Sequence, residues 1–277
     1  MRLAPHFIPG LDVLQRIYEM MSVFDQSEFD VRCEWGEQGV KLLAPISDVL
    51  VIVDVLSFST SVEIAVCQGA VVYPYRWRDE RVYEYAREVK AEVASPKNER
   101  GYSLSPSTLE KLPNDFRMVL PSPNGSALTL LASDCRLLCG CLRNAQAVAR
   151  AASRIGKSIG IVPCGERWHV DYSLRPSFED FLGAGAIISE LNGRLSPEAE
   201  MARIVFERFQ DDLLGYISRC SSGKEKLAKG KNRDIELASG LNVSNCVPVF
   251  HDGAYRRQES AEQTGGVNEC SAGAPHS

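Results

Sequence analysis

Val49-Leu50-Val51-Ile52-Val53-Asp54 is the stretch that decides the fold. Five consecutive apolar residues, mostly β-branched and without polar alternation, read as a strand covered on both faces, the pattern of a parallel sheet between two helical layers. The run closes on a carboxylate. A helix is predicted over 57–68, with Ser and Thr near its start and Gly69 past its end. Outward from there the alternation continues, with strands predicted at 70–75, 117–120, 136–139 and 158–162 and helices at 78–90, 126–132 and 144–154. Longer helical segments cover 177–191 and 197–220, the second breaking near Gly215, and 247–250 reads as a last strand. This spacing predicts βαβ units in an α/β fold, a three-layer α/β/α sandwich with a largely parallel or mixed central sheet.

The chain has 277 residues, 44% of them hydrophobic and 24% charged, enough for one large core or two closely packed subdomains. The folded unit is expected over 21–257. Residues 1–20 read as a non-native or disordered extension, with Met21 as an alternative start to Met1. Residues 258–277, rich in Gly, Ser, Glu, Gln and Ala, read as a disordered tail. A net charge of -5 gives no general field for nucleic acid or an anionic membrane. No such partner is expected, and an anionic ligand needs a locally basic pocket. Nine cysteines, an odd number with no CxxC pair, fit a reducing compartment. With no apolar run long enough to span a bilayer and no signal-peptide pattern, the sequence predicts a cytoplasmic protein. It leaves homo-oligomerisation open.

In open α/β sheets ligands bind beyond the carboxyl ends of the strands, which selects the loops after Val53, Leu120, Cys139 and Val162. Asp54, with Ser57, Ser59 and Thr60 behind it, is placed either to hold Mg²⁺ and phosphate oxygens or merely to cap the next helix. Asn124-Gly125-Ser126 joins a strand to a helix and offers neutral hydrogen-bonding groups beside a glycine, or is an ordinary loop with a Ser cap. Glu179-Asp180 opens a helix, where acidic residues also suit the helix dipole; adjacent carboxylates do not share a face, so one would enter a site and the other support it. Lys224, after Ser221-Ser222-Gly223, is an anion-binding candidate or a surface lysine, and Asp234 lies in a mixed-charge run.

Several phosphate chemistries are excluded. A P-loop needs glycine six residues before Lys157, where Ala151 stands. No cysteine has arginine six residues on, and Leu56 replaces the second acid of an Asp-x-Asp nucleophile pair. Of four histidines, His6 and His276 fall in the predicted tails. Cys135, Cys139 and Cys141 read as core cysteines rather than zinc ligands.

In order, Val53-Asp54-Val55-Leu56 with Ser59-Thr60, Asn124-Gly125-Ser126, Asn144-Ala145, Gly165, Glu179-Asp180, Gly223-Lys224, Asp234-Ile235 and Val247-Pro248 resemble the 2-phosphosulfolactate phosphatase family of the coenzyme M pathway. The resemblance implies a phosphoric monoester hydrolase that uses Mg²⁺ to convert 2-phosphosulfolactate, or a closely related phosphorylated hydroxy acid, to sulfolactate and phosphate. It implies catalytic roles for Asp54, Glu179 and Asp180, and metal ligation by Asp54, Asp180 and Asp234. Substrate contacts would come from Ser59, Thr60, Asn124, Gly125, Ser126, Asn144, Gly165 and Lys224. One departure stands out: Ser57-Phe58 occupies the place where the family pattern has arginine and a small residue. Arg143, Arg167 and Arg175 are the candidates to restore that charge. The alternative is a non-catalytic organic-anion-binding protein of the same fold, or a structural helper that neither binds nor turns over such acids.

Overall fold

The computed structural model describes residues 24–77, 79–95 and 97–258. The predicted extension, the Met21 start, Arg78 and all but the first residue of the predicted tail lie outside them.

Strand β2 (Val49–Val53) is buried at every position. Its alternate side chains feed two different cores: Val49, Val51 and Val53 one, Leu50 and Ile52 the other. It lies between β7 (Ile159–Pro163) and β6 (Leu137–Gly140), parallel to both, with β1 (Val31–Cys33) parallel beyond β7. These strands use small or branched apolar residues because neither face meets water. The first core is closed by α5 (Ala145–Ile155), α6 (Phe178–Ile188) and α7 (Pro197–Phe209). The second is filled by α1 (Gly36–Leu43), α2 (Phe58–Cys67) and α4 (Gly125–Leu131). The α/β/α layering is therefore as the alternation predicts.

The sheet is mixed for a reason hidden from the local pattern. Its nine strands run in the order β1-β7-β2-β6-β10-β11-β3-β5-β4, where β3 is Val71–Tyr75, β4 Glu92–Val93, β5 Arg117–Pro121, β10 Pro248–His251 and β11 Ala254–Arg257. The β10–β11 hairpin, from the far end of the chain, pairs antiparallel to β6 on one side and to β3 on the other. Each antiparallel step reverses direction, so β3, β5 and β4 run opposite to β2. The predicted succession of βαβ units thus fails between β2 and β3 and between β5 and β6, whose partners run in opposite senses. It holds for β6-α5-β7, where β2 lies between two parallel strands, and for β3-α3-β4 with α3 at Arg81–Glu88.

The C-terminal part supplies α8 (Leu213–Arg219), α9 (Ser221–Ala228) and α10 (Asn232–Ala238). The predicted break at Gly215 falls earlier, at Gln210–Asp212, where the Asp212 carboxylate accepts the Gly215 amide and starts a new helix. A two-stranded hairpin, β8 (Glu166–Arg167) with β9 (Leu174–Arg175), projects after β7. Among the described residues no helix is long and apolar enough to cross a membrane.

Candidate active site

Asp54 leaves β2 at its carboxyl end and is buried. Its Oδ1 accepts the Phe58 amide at 3.0 Å and its Oδ2 the Gly125 amide at 3.1 Å. The capping reading of Asp54 is thus correct, yet incomplete, because the same carboxylate also fastens the start of α4. Although β5 runs opposite to β2, the turn after Pro121 brings Gly125 back against Asp54. Only glycine fits there: a Cβ at Gly125 would sit inside the Phe58 ring.

Two further carboxylates lie near enough to Asp54 to act on it, or to feel it, through charge. Glu166, at the base of the β8–β9 hairpin, accepts the Asn124 amide group at 2.9 Å through Oε2. Glu179, on the first turn of α6 and 2% exposed, takes the Cys220 thiol at 3.3 Å. Burial and then the Asp54 charge push the Glu166 carboxyl up to about 7, offset in part by the Asn124 bond and the Arg175 guanidinium. Burial likewise lifts Asp54 to about 6, against the pull of the Phe58 and Gly125 amides and of Lys226, with Glu179 pushing the same way as burial. These shifts mark acids crowded together with too little positive charge nearby.

The positive charge comes from α9 and from the β8–β9 hairpin. Lys226 on α9 donates to Ser57 Oγ at 2.6 Å, and Arg175 donates to Ser222 Oγ at 3.2 Å. Ser222 and Lys226 are four residues apart and so share a helical face. Lys224 lies off that face and is exposed, so the lysine at the centre is Lys226, contrary to the expectation from sequence.

Several other expected contacts prove to be internal scaffolding. Ser59 Oγ accepts the Asp54 amide and donates to Ile52 O, Thr60 Oγ1 donates to Val55 O at 2.8 Å, and Ser126 Oγ donates to Leu120 O at 2.7 Å; none has exposed surface. Asn144 Nδ2 donates to the Cys139 and Cys246 carbonyls while its Oδ1 accepts the Cys141 amide, tying β6 to the irregular segment ahead of the last hairpin. Gly165, at φ 68°, donates its amide to Asp180 Oδ2 at 2.9 Å and would bring a Cβ to 2.7 Å from Leu174. Asp180 also accepts the Val55 amide at 2.7 Å and the Ser177 hydroxyl at 2.8 Å. It is the clamp that holds the loops after β2 and β7 on α6. Burial, then Asp54 and Glu179, raise its carboxyl well above the ordinary range.

Asp234 is fully buried and accepts the Ser105 hydroxyl and, at 3.0 Å, the Ser107 amide, fastening α10 to the segment ahead of β5. The expected ligand set of Asp54, Asp180 and Asp234 is therefore not assembled. Among the described residues no group of three or more His, Cys, Asp or Glu side chains is placed as a cage for a metal ion. Mg²⁺ takes one or two carboxylates and completes its shell with water and phosphate oxygens. The hard oxygens of Asp54 and Glu166, with Glu179 beside them, fit that demand. Of the arginines, Arg143 is committed to buried Glu63 at 2.6 Å and Arg167 donates to Tyr172 O at 3.2 Å, leaving Arg175 at the centre.

Sequence reasoning missed Glu166 and Lys226. The hairpin strands bearing Glu166 are two residues long and leave no periodic trace, whereas the Ser222/Lys226 spacing was legible as a helical face.

Comparison with known proteins adds an independent line. The family model described as 2-phosphosulpholactate phosphatase matches residues 39–253. The 2-phosphosulfolactate phosphatase of Methanothermobacter thermautotrophicus is 29% identical over 221 residues, 77% of this chain and 91% of that protein. Proteins of Pseudothermotoga lettingae and Carboxydothermus hydrogenoformans, both described as "Probable 2-phosphosulfolactate phosphatase", are 28% and 29% identical. The alignments cover 77% and 73% of this chain and 95% and 86% of those proteins.

Proposed function

The chain belongs to the 2-phosphosulfolactate phosphatase family, and from that membership and the buried carboxylate centre we propose a Mg²⁺-dependent phosphatase that hydrolyses 2-phosphosulfolactate to sulfolactate and phosphate. The observation that carries it is the convergence of Asp54, Glu166 and Glu179 with Lys226 and Asn124 at the carboxyl end of β2. A phosphate dianion would be repelled by three carboxylates alone, so a site of this composition suits a phosphate only with a divalent cation between them. Asp54 and Glu166 would hold Mg²⁺, which when bound neutralises charge on the phosphoryl oxygens.

The remaining roles belong to the protein. The Gly125 and Phe58 amides fix the Asp54 carboxylate, so its orientation needs no rearrangement when substrate arrives. Asn124 holds Glu166 in the same way. Lys226 gives a point charge to a phosphoryl oxygen from the place where it now donates a hydrogen bond to Ser57 Oγ, supplying from a distant part of the chain the charge that Ser57-Phe58 lacks. Glu179 accepts a proton from the attacking water as the new P–O bond forms and the bond to the C2 oxygen breaks; the leaving alkoxide then takes a proton from solvent.

The substrate is a small anion; no nucleic acid is required. Eight free cysteines among the described residues support a reducing, cytosolic setting. Phosphate release from 2-phosphosulfolactate, measured with Mg²⁺ and with chelator, tests the reading. Turnover with Mg²⁺ that is abolished by chelator and by Asp54→Asn is expected. Saturable binding of the phosphorylated acid without phosphate release would favour the organic-anion-binding alternative.

A further inference from the structure

Beside the carboxylate centre lies a cavity of about 350 Å³, lined by Arg175, Phe178, Tyr216, Arg219, Cys220 and Ser221. It is large enough for a small organic acid and shares two residues with the centre. Cys220 lines the cavity and donates its thiol to Glu179, while Arg175 pairs across the hairpin with Glu166.

Two guanidinium groups border this space, and among the described residues neither has a carboxylate oxygen closer than the 3.9 Å of Arg219 to Asp212. Arg175 stacks over the Trp168 ring at 5.7 Å and donates to Ser222 Oγ. Arg219 lies over the Tyr216 ring at 4.7 Å, and its pairing with Asp212 is long, 3.9 Å, and solvent-exposed. Such a pair is too weak to occupy the group. Stacking on an aromatic face leaves the N–H edge of a guanidinium available to a ligand. Positive charge thus stands beside the acids, with guanidinium edges that no short ion pair occupies among the described residues.

We propose that this cavity is the subsite for the sulfonate of the substrate, with Arg175 and Arg219 as its specificity residues; the proposal rests on the phosphatase reading above. A planar carboxylate is saturated by one guanidinium fork, whereas the three oxygens of a sulfonate diverge and call for donors from separate directions. Arg175 from the hairpin, Arg219 from the end of α8 and the Ser221 hydroxyl supply three such directions. Phe178 and Tyr216 offer apolar surface to the methylene that carries the sulfonate.

The test compares 2-phosphosulfolactate with 2-phospholactate, which lacks the sulfonate, and adds calorimetric binding of sulfolactate and lactate. In Arg219→Gln the ratio of kcat/KM for the two phosphorylated acids should fall about tenfold, with the loss in KM, and sulfolactate binding should weaken by a similar factor. Arg219→Lys, which keeps the charge without the fork, should fall between. Arg175→Gln should lower the same ratio. An unchanged ratio and unchanged sulfolactate binding in both Gln variants would overturn the subsite and leave the phosphatase reading standing. Arginine-dependent sulfolactate binding in a protein that releases no phosphate from either acid would sustain the subsite and defeat that reading.

Discussion

Replacing Glu166 by glutamine should make the protein more stable and inactive at once. Burial and the neighbouring Asp54 charge raise the Glu166 carboxyl from 4.5 to about 7. The folded protein therefore holds a proton that the unfolded chain has released, and stability falls as pH rises through that window. Above pH 7 the ionised group costs up to about 3 kcal/mol in the folded state, a ceiling because Glu166 keeps some contact with solvent. Glutamine keeps the shape, can turn its oxygen to the Asn124 amide group, and carries no charge at any pH. At roughly 2–4 °C per kcal/mol for a domain of this size, Glu166→Gln should raise the melting temperature by about 5–10 °C at pH 8 without divalent cations. At pH 4.5, where the native carboxyl is protonated, the two proteins should melt together. Phosphate release should fall at least about a hundredfold, since a ligand for the cation is gone. Thermal melts at both pH values, with a phosphate-release assay, read all three quantities. An equal shift at pH 4.5 and pH 8, or retained turnover, would refute the account of Glu166.

Lys226→Met should lower kcat/KM by about a hundredfold, whereas Lys224→Met on the exposed face of α9 should stay within about twofold; steady-state kinetics on the pair decides which lysine serves the centre. Asp180→Asn turns an NH₂ group toward donors at Val55, Gly165 or Ser177 and should cost about 2–3 kcal/mol, seen as a melting temperature lower by about 5–10 °C. Gly125→Ala forces a methyl into the Phe58 ring and should lower the melting temperature and activity together, because the displaced amide also supports Asp54; melts and turnover on one preparation check both.

The central strands were legible because a run buried on both faces leaves a run of Val, Ile and Leu, and each intervening helix carries its own punctuation. The reversal of β3 and β5 was not. It depends on a hairpin some 130 residues after β5 in sequence, at Pro248–His251 and Ala254–Arg257, and no local pattern encodes such pairing. The short β1 and β4 and the hairpin carrying Glu166 fell below the length at which alternation can be read. Of the candidate residues, Asp54, Asn124, Gly125 and Glu179 are the ones brought to the carboxylate centre, and they were legible because they sit at element boundaries, where functional and capping chemistry coincide. That same coincidence explains the errors. Ser59, Thr60, Ser126 and Asn144 are the polar groups that hold those boundaries shut, and Asp180 and Asp234 are carboxylates whose partners are backbone amides and hydroxyls. A motif marks which residues a fold needs there, and does not say whether they face the ligand or the loop behind it.

Mn²⁺ binding followed by electron paramagnetic resonance tests the carboxylate centre most directly, since the ion substitutes for Mg²⁺ and reports its own environment. One bound ion per chain is expected in the wild-type protein, its spectrum altered by added phosphate, with binding lost in Asp54→Asn and in Glu166→Gln and kept in Asp234→Asn. Equal binding in all four proteins would place any cation elsewhere and leave these acids without the role assigned to them.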